Sequence, residues 1–167
     1  MIDASDYSAL DGGLVRMLNR LQLEGTATKD AKADRYLREE PNAVLLGLLY
    51  DQRVLAETAF SGPLKLRQRL GHLDMRRIAD MDAEAFQAVF SEPPAVHRFT
   101  GKMADTTQQV ARILAEEYDG TAANLWRDGT CAEVERRLRA LPGFGPLKAQ
   151  KLKFCLYYFG HRDLSES

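Results

Sequence analysis

The residues with the clearest chemical potential lie near the carboxyl end, where two closely spaced glycines precede a basic helix. This stretch reads Leu-Pro-Gly-Phe-Gly-Pro-Leu-Lys-Ala from Leu141 to Ala149. Gly143 and Gly145 permit backbone conformations and close approaches that other residues resist. The proline that follows suits the first position of a helix, and the free amides at a helix N-terminus attract anions. We therefore expect this hairpin to bind a nucleic-acid phosphate, with Lys148 and Lys151 adding positive charge.

The distribution of charge favours the same expectation, although the total charge does not. The chain carries a formal net charge of −1, and proteins that contact phosphates usually have a basic balance. From Val134 to Arg162, however, the charge sums to +6, including Arg136, Arg137 and Arg139 just before the hairpin. The remainder of the chain is acidic, so the sequence predicts one local anion-binding face. A simple reversal of chain direction is the alternative interpretation of the two glycines.

Three further residues are candidates for the same interface. Gln52 follows an apolar segment that ends at Tyr50, and His97 and Arg98 follow a proline-rich loop. The two loop residues could line a cleft, whereas a histidine in a loop is also often a capping or surface residue. Gln52 could equally be an ordinary polar residue at a helix end.

The elements that must position these residues are helical almost throughout. Apolar residues recur at helical spacing and no sustained alternating run occurs, so we expect an all-α fold. We expect an N-terminal amphipathic helix with a linker over residues 1–30, followed by a helical domain over residues 31–167 with its hairpin at residues 141–148. Predicted helices include Ala31–Glu39, a long helix over Gly101–Tyr118, and a final helix from Pro146 to Phe159.

Local signals also predict where individual helices begin and end. Asp74, Asp82 and Thr130 have the side chains that cap helix N-termini. Asn42 is the predicted cap of a helix that is apolar on all sides and therefore buried. Gly62 and the proline after it predict a break between two helices.

Cysteine usage and the N-terminus indicate a compartment. Cys131 and Cys155 are neither paired nor spaced as metal ligands, so we expect no metal site and a reducing environment. The N-terminus is acidic, and the longest apolar stretch is much shorter than the roughly 20 residues that span a membrane. These features predict a cytoplasmic protein, associated with the nucleoid if bacterial, that does not bind membranes.

Leu141–Ala149 resembles the helix-hairpin-helix of the HhH-GPD superfamily of base-excision DNA repair proteins, the group of endonuclease III-like DNA glycosylases. The resemblance extends over about residues 31–160. It includes the segment ending in Asp51-Gln52, the Lys102-Met103-Ala104 triplet, and the Tyr158-Phe159-Gly160 end of the last helix. The segment from Phe90 to Phe99 is similar to a small, poorly characterised subgroup of the superfamily.

This resemblance implies a helical bundle whose hairpin grips double-stranded DNA beside a flipped, damaged base. In such proteins an aspartate assists departure of the base, and some members also use a lysine as a nucleophile. The lysine position is occupied by Leu147 here, so the resemblance implies a monofunctional glycosylase rather than a lyase. Asp163 is the candidate catalytic acid, and Gln52 would fill the space left by the flipped base.

The resemblance further implies a DNA interface comprising Leu141, Gly143, Gly145, Leu147, Lys148, Lys151 and Gln52. The chain ends where the family adds helices, so we expect a reduced second domain, and the four-cysteine iron–sulfur loop is absent. Three hypotheses follow: a DNA N-glycosylase, a non-catalytic module that binds DNA lesions, and a helical protein-interaction domain. The last would form a homodimer through the N-terminal helix.

Overall fold

The computed structural model describes residues 1–167 and confirms the all-helical class. No strand is formed, and the one β-type contact is an isolated bridge between Ile2 and Glu166. Eleven helices follow in order: α1 Gly13–Glu24, α2 Ala31–Glu39, α3 Pro41–Tyr50, α4 Ala56–Leu70, α5 Met75–Asp80, α6 Ala83–Ser91, α7 Thr100–Glu117, α8 Ala123–Trp126, α9 Cys131–Arg139, α10 Pro146–Ala149 and α11 Leu152–Tyr158.

Helix α3 forms the centre of the hydrophobic core. Every residue from Asn42 to Tyr50 is buried, as expected for a segment that is apolar on all sides. The apolar stripe of α1, including Leu14, Met17 and Leu18, belongs to the same core. The N-terminal helix therefore packs with the rest of the chain around one shared core.

Several helix ends confirm the capping rules. The side chains of Asp74 and Asp82 accept backbone N–H groups at the starts of α5 and α6, and Thr130 does so at α9. Gly25 ends α1 in the left-handed conformation. These ends depend only on local sequence, which explains why they are predictable.

The prediction that Asn42 caps α3 is wrong. Glu40 is the N-cap, and Asn42 lies buried inside the first turn of the helix. Its side-chain oxygen accepts the Ala122 N–H at 2.7 Å, and its amide nitrogen donates to the Gly120 carbonyl at 3.2 Å. The Asn42 side chain therefore binds the segment after α7 instead of capping its own helix.

The predicted break at Gly62 and Pro63 is also wrong, because α4 continues through both residues. A Cβ at Gly62 would lie 3.0 Å from Tyr50 Cδ2 and 3.2 Å from Val96 Cγ1. The glycine therefore lets α4 approach the core closely. Packing on α3 keeps the helix continuous despite the proline.

The single predicted helix over residues 146–159 is interrupted. Gln150 and Lys151 retain right-handed helical dihedral angles between α10 and α11. The Lys151 N–H donates to the Lys148 carbonyl, three residues back, at 3.1 Å. The interruption is thus a locally tightened turn rather than a change of direction.

The two ends of the chain meet. Ile2 and Glu166 exchange backbone hydrogen bonds, and the Tyr158 hydroxyl donates to the Ser5 carbonyl. The Glu166 carboxylate also accepts the Cys131 N–H at 2.7 Å, at the start of α9. None of the helices has the length and apolar character needed to cross a membrane.

Candidate nucleic-acid interface

The turn between α9 and α10 is held tightly against the core. Gly143 adopts a φ of +85°, and a Cβ there would lie 2.4 Å from Leu49 Cδ1 and 3.1 Å from Thr106 Cγ2. Leu141 and Phe144 on either side are buried. Gly143 is therefore required for packing against α3 and α7, and Leu141 positions the turn from within the core.

Gly145, the second glycine, borders open space instead of the core. Gly145 has an ordinary φ of −83°, and no atom lies within 4 Å of the position a Cβ would occupy. The backbone N–H groups of Gly145, Leu147 and Lys148 donate to no acceptor within the chain. The Leu147 side chain is 77% exposed. This side of the turn presents free hydrogen-bond donors to solvent.

The Lys148 side chain is half-buried and bends toward the end of α3. Its ammonium group donates to the Leu49 carbonyl at 2.9 Å and so caps the C-terminal end of α3. Burial lowers the pKa of Lys148 to about 8; the nearby Asp51 opposes this shift, while Lys151 and Lys102 add to it. Lys151 forms no ion pair, which leaves it as the free cation of the turn.

His97 and Arg98 also bind carbonyl groups at this end of α3. His97 is 2% exposed, and its Nε2 lies 3.0 Å from the Tyr50 carbonyl and 3.2 Å from the Gln52 carbonyl. The Phe99 N–H donates to His97 Nδ1, so the ring is neutral with its proton on Nε2. Burial lowers the pKa of His97, which agrees with that neutral form.

The Lys148 contact brings Asp51 close to Lys148 and Lys151. The Asp51 carboxylate is partly buried, forms no ion pair and accepts no hydrogen bond from the chain. Because every buried side-chain oxygen has a partner, the unpartnered Asp51 oxygens must reach solvent. Burial raises the Asp51 pKa, and the charges of Lys151 and Lys148 partly oppose that rise.

Asp163 lies elsewhere, in the exposed C-terminal segment. Hydrogen bonds from Ser165 hold its pKa below the usual range. Neither its hydrogen bonds nor the charges acting on it involve the hairpin or α3. Asp163 therefore has no hydrogen bond or ion pair that links it to the candidate phosphate site, and it has the low pKa of an ionised surface carboxylate.

The remaining basic and aromatic candidates divide between structural and exposed roles. Arg137 donates to the Leu125 and Asp128 carbonyls and pairs with two acids, whereas Arg136 and Arg139 are exposed without partners. In the aromatic run near the end of the chain, Tyr157 is the most exposed ring, at 39%, and Tyr158 is half-buried. The exposed arginines extend the positive surface from α9 toward the hairpin.

Asp51 is the residue that sequence reasoning did not assign to a role. The sequence could have indicated a role for Asp51, because an aspartate directly after a fully apolar helix must lie at the edge of the core. The contact that brings lysines close to Asp51 joins Lys148 to the Leu49 carbonyl. These two residues are about a hundred positions apart, so no local sequence pattern predicts the contact.

In comparisons with known proteins, no family model and no curated protein matches this chain. The assignment of function therefore depends on the geometry of its own residues.

Proposed function

We propose that this protein binds double-stranded DNA through the hairpin and acts in base-excision repair as a DNA N-glycosylase of the HhH-GPD type. The observation that carries the proposal is the row of unpartnered backbone N–H groups at Gly145, Leu147 and Lys148, open to solvent beside the free Lys151. Backbone donors of this kind bind phosphate oxygens without reading sequence. Gln52, whose backbone carbonyl contacts His97, is the residue that would enter the base stack in this proposal.

Substitution of Gly145 tests the DNA contact. A valine side chain would project into the open space through which a phosphate must approach, while its backbone conformation remains allowed. We expect Gly145→Val to reduce duplex affinity at least tenfold with unchanged circular dichroism and thermal unfolding, and Gly145→Ala to have an intermediate effect. Unchanged affinity in the valine variant would remove the hairpin from the interface.

A matched pair of lysine variants tests the electrostatic contribution. Removal of one phosphate contact lowers the slope of log affinity against log salt by about 0.9. We expect this change for Lys151→Gln. Lys29→Gln removes the same charge from the loop before α2, where the lysine side chain has no partner, and should leave the slope unchanged. Equal slopes in the two variants would mean that Lys151 contacts no phosphate.

A non-catalytic lesion-binding module is the second candidate. It is favoured by Leu147 at the position of the family lysine and by the exposure and low pKa of Asp163. A protein-interaction domain is less well supported, because the apolar stripe of α1 is already buried within the chain. Salt-dependent duplex binding without base release from any lesion would favour the module.

A further inference from the structure

Hydrolysis of an N-glycosidic bond requires two proton movements close to one another. A base must accept a proton from the attacking water, and an acid helps the leaving base depart as its bond to C1′ breaks. Asp163 has no hydrogen bond or charge interaction with the turn that holds the free amides. Two other ionisable residues border those amides.

Asp51 and Lys148 have the required placement. The Lys148 backbone N–H is one of the free donors, and its ammonium group donates to the carbonyl of Leu49, two residues before Asp51. The ammonium has three protons and uses one of them in this contact. The Asp51 carboxylate reaches solvent without any hydrogen bond or ion pair. Both groups thus keep the capacity to exchange protons with a bound molecule.

Their surroundings match the two tasks. Partial burial raises the pKa of Asp51, which makes its carboxylate a stronger base than an ordinary aspartate. Partial burial lowers the pKa of Lys148 to about 8, which makes its ammonium a stronger acid than an ordinary lysine. The groups that act on the pair are Lys151 and Lys102, which both favour loss of the Lys148 proton, and His97, which is neutral.

We propose that Asp51 and Lys148 form the general base and general acid that hydrolyse the N-glycosidic bond of a damaged deoxynucleotide held by the hairpin. This inference rests on the proposed function and names its catalytic residues, neither of which stands at the position where the resemblance puts a catalytic group. Asp51 carries out the water activation, and Lys148 assists the leaving base.

The step balances without any other reactant. The C1′–N bond breaks and its electron pair leaves with the base, whose nitrogen takes a proton from the Lys148 ammonium. Water forms the new bond to C1′ and gives a proton to the Asp51 carboxylate. The products are the free base and an abasic site, and transfer of that proton from Asp51 to Lys148 through solvent restores the starting charges.

The experiment measures base release under single-turnover conditions from duplexes that carry uracil, hypoxanthine, an alkylated purine, oxidised guanine or an oxidised pyrimidine. Binding to the same duplexes is measured in parallel. We expect Asp51→Asn to slow release about 100-fold or more while binding stays within about twofold. Asp80→Asn, at an exposed aspartate without partners on α5, is the matched control and should behave as wild type.

The pH dependence of the wild-type protein tests the pair without any substitution. The rate should rise with pH as Asp51 ionises and fall above about pH 8 as Lys148 loses its proton. In Asp51→Asn the acidic limb should disappear, and in Lys148→Arg, which keeps the charge but cannot give up a proton, the alkaline limb should disappear. A merely structural role for either residue would leave both limbs in place.

The possible outcomes distinguish failure of the acid–base pair from failure of the proposed DNA-binding function. Release at the wild-type rate by Asp51→Asn overturns the acid–base pair, and so does a wild-type rate that does not fall above pH 8. Duplex binding without release from any lesion also overturns the pair but leaves DNA binding intact. Absence of duplex binding overturns the proposed function itself.

Discussion

Replacement of Gly143 by alanine is the sharpest test of why the hairpin contains its first glycine. The residue has a φ of +85°, a left-handed conformation that costs an alanine about 1–2 kcal/mol. The new Cβ would also lie 2.4 Å from Leu49 Cδ1, deep in the core, and relief of such a clash costs about 1–3 kcal/mol. We expect Gly143→Ala to lower the free energy of unfolding by about 2–5 kcal/mol.

The measurement is urea denaturation followed by circular dichroism, together with thermal unfolding. A loss of this size in a chain of 167 residues corresponds to a fall in Tm of roughly 4–20 °C. Gly145→Ala is the matched control, since its Cβ meets nothing within 4 Å and its φ is already negative. That control should change stability by no more than about 0.5 kcal/mol.

The two variants should therefore behave in opposite ways in the two assays. Gly143→Ala should lose stability, whereas Gly145→Ala should lose DNA affinity but not stability. If Gly143→Ala were as stable as wild type, the close contact between the hairpin and Leu49 would be wrong.

Two further perturbations test the contacts at the ends of α3. The pKa of His97 is below its value in the unfolded chain, so the unfolded state binds more protons at low pH and stability is lost as pH falls below about 6.5. We expect the urea midpoint of the wild-type protein to be lower at pH 5 than at pH 7.5, and this difference to be smaller in His97→Gln. An equal difference in the wild type and the variant would contradict a neutral His97 ring. Asn42→Ala should cost about 2–3 kcal/mol because it leaves the buried Ala122 N–H without its acceptor. Gln68→Ala, exposed and without partners, should cost nothing measurable in the same denaturation assay, and equal stability of the two variants would refute the role of Asn42.

The all-helical class and many helix ends could be predicted from sequence because they depend on neighbouring residues. Helix α2 occupies Ala31–Glu39 as expected, and three predicted caps are confirmed. The predictions failed at Asn42 and at Gly62, where contacts with distant residues decide the outcome. At Asn42, the side chain accepts the buried Ala122 N–H, which would otherwise have no hydrogen-bond partner, and so it does not cap the helix.

The candidate site shows the same division. The turn between α9 and α10, with its glycines and the lysines that follow, could be located from residue spacing alone. The direction of the Lys148 side chain could not, because its acceptor is a carbonyl of α3 far away in the sequence.

By itself, the sequence determined the helical class, the buried character of α3 and the presence of a glycine turn before a basic segment, because helical periodicity and turn residues act over a few positions. Only the tertiary structure decided that Gly143 serves the core while Gly145 faces solvent. It also decided that Lys148 closes the end of α3 beside Asp51. Burial changes the proton affinity of both groups, and burial arises only when distant segments pack together.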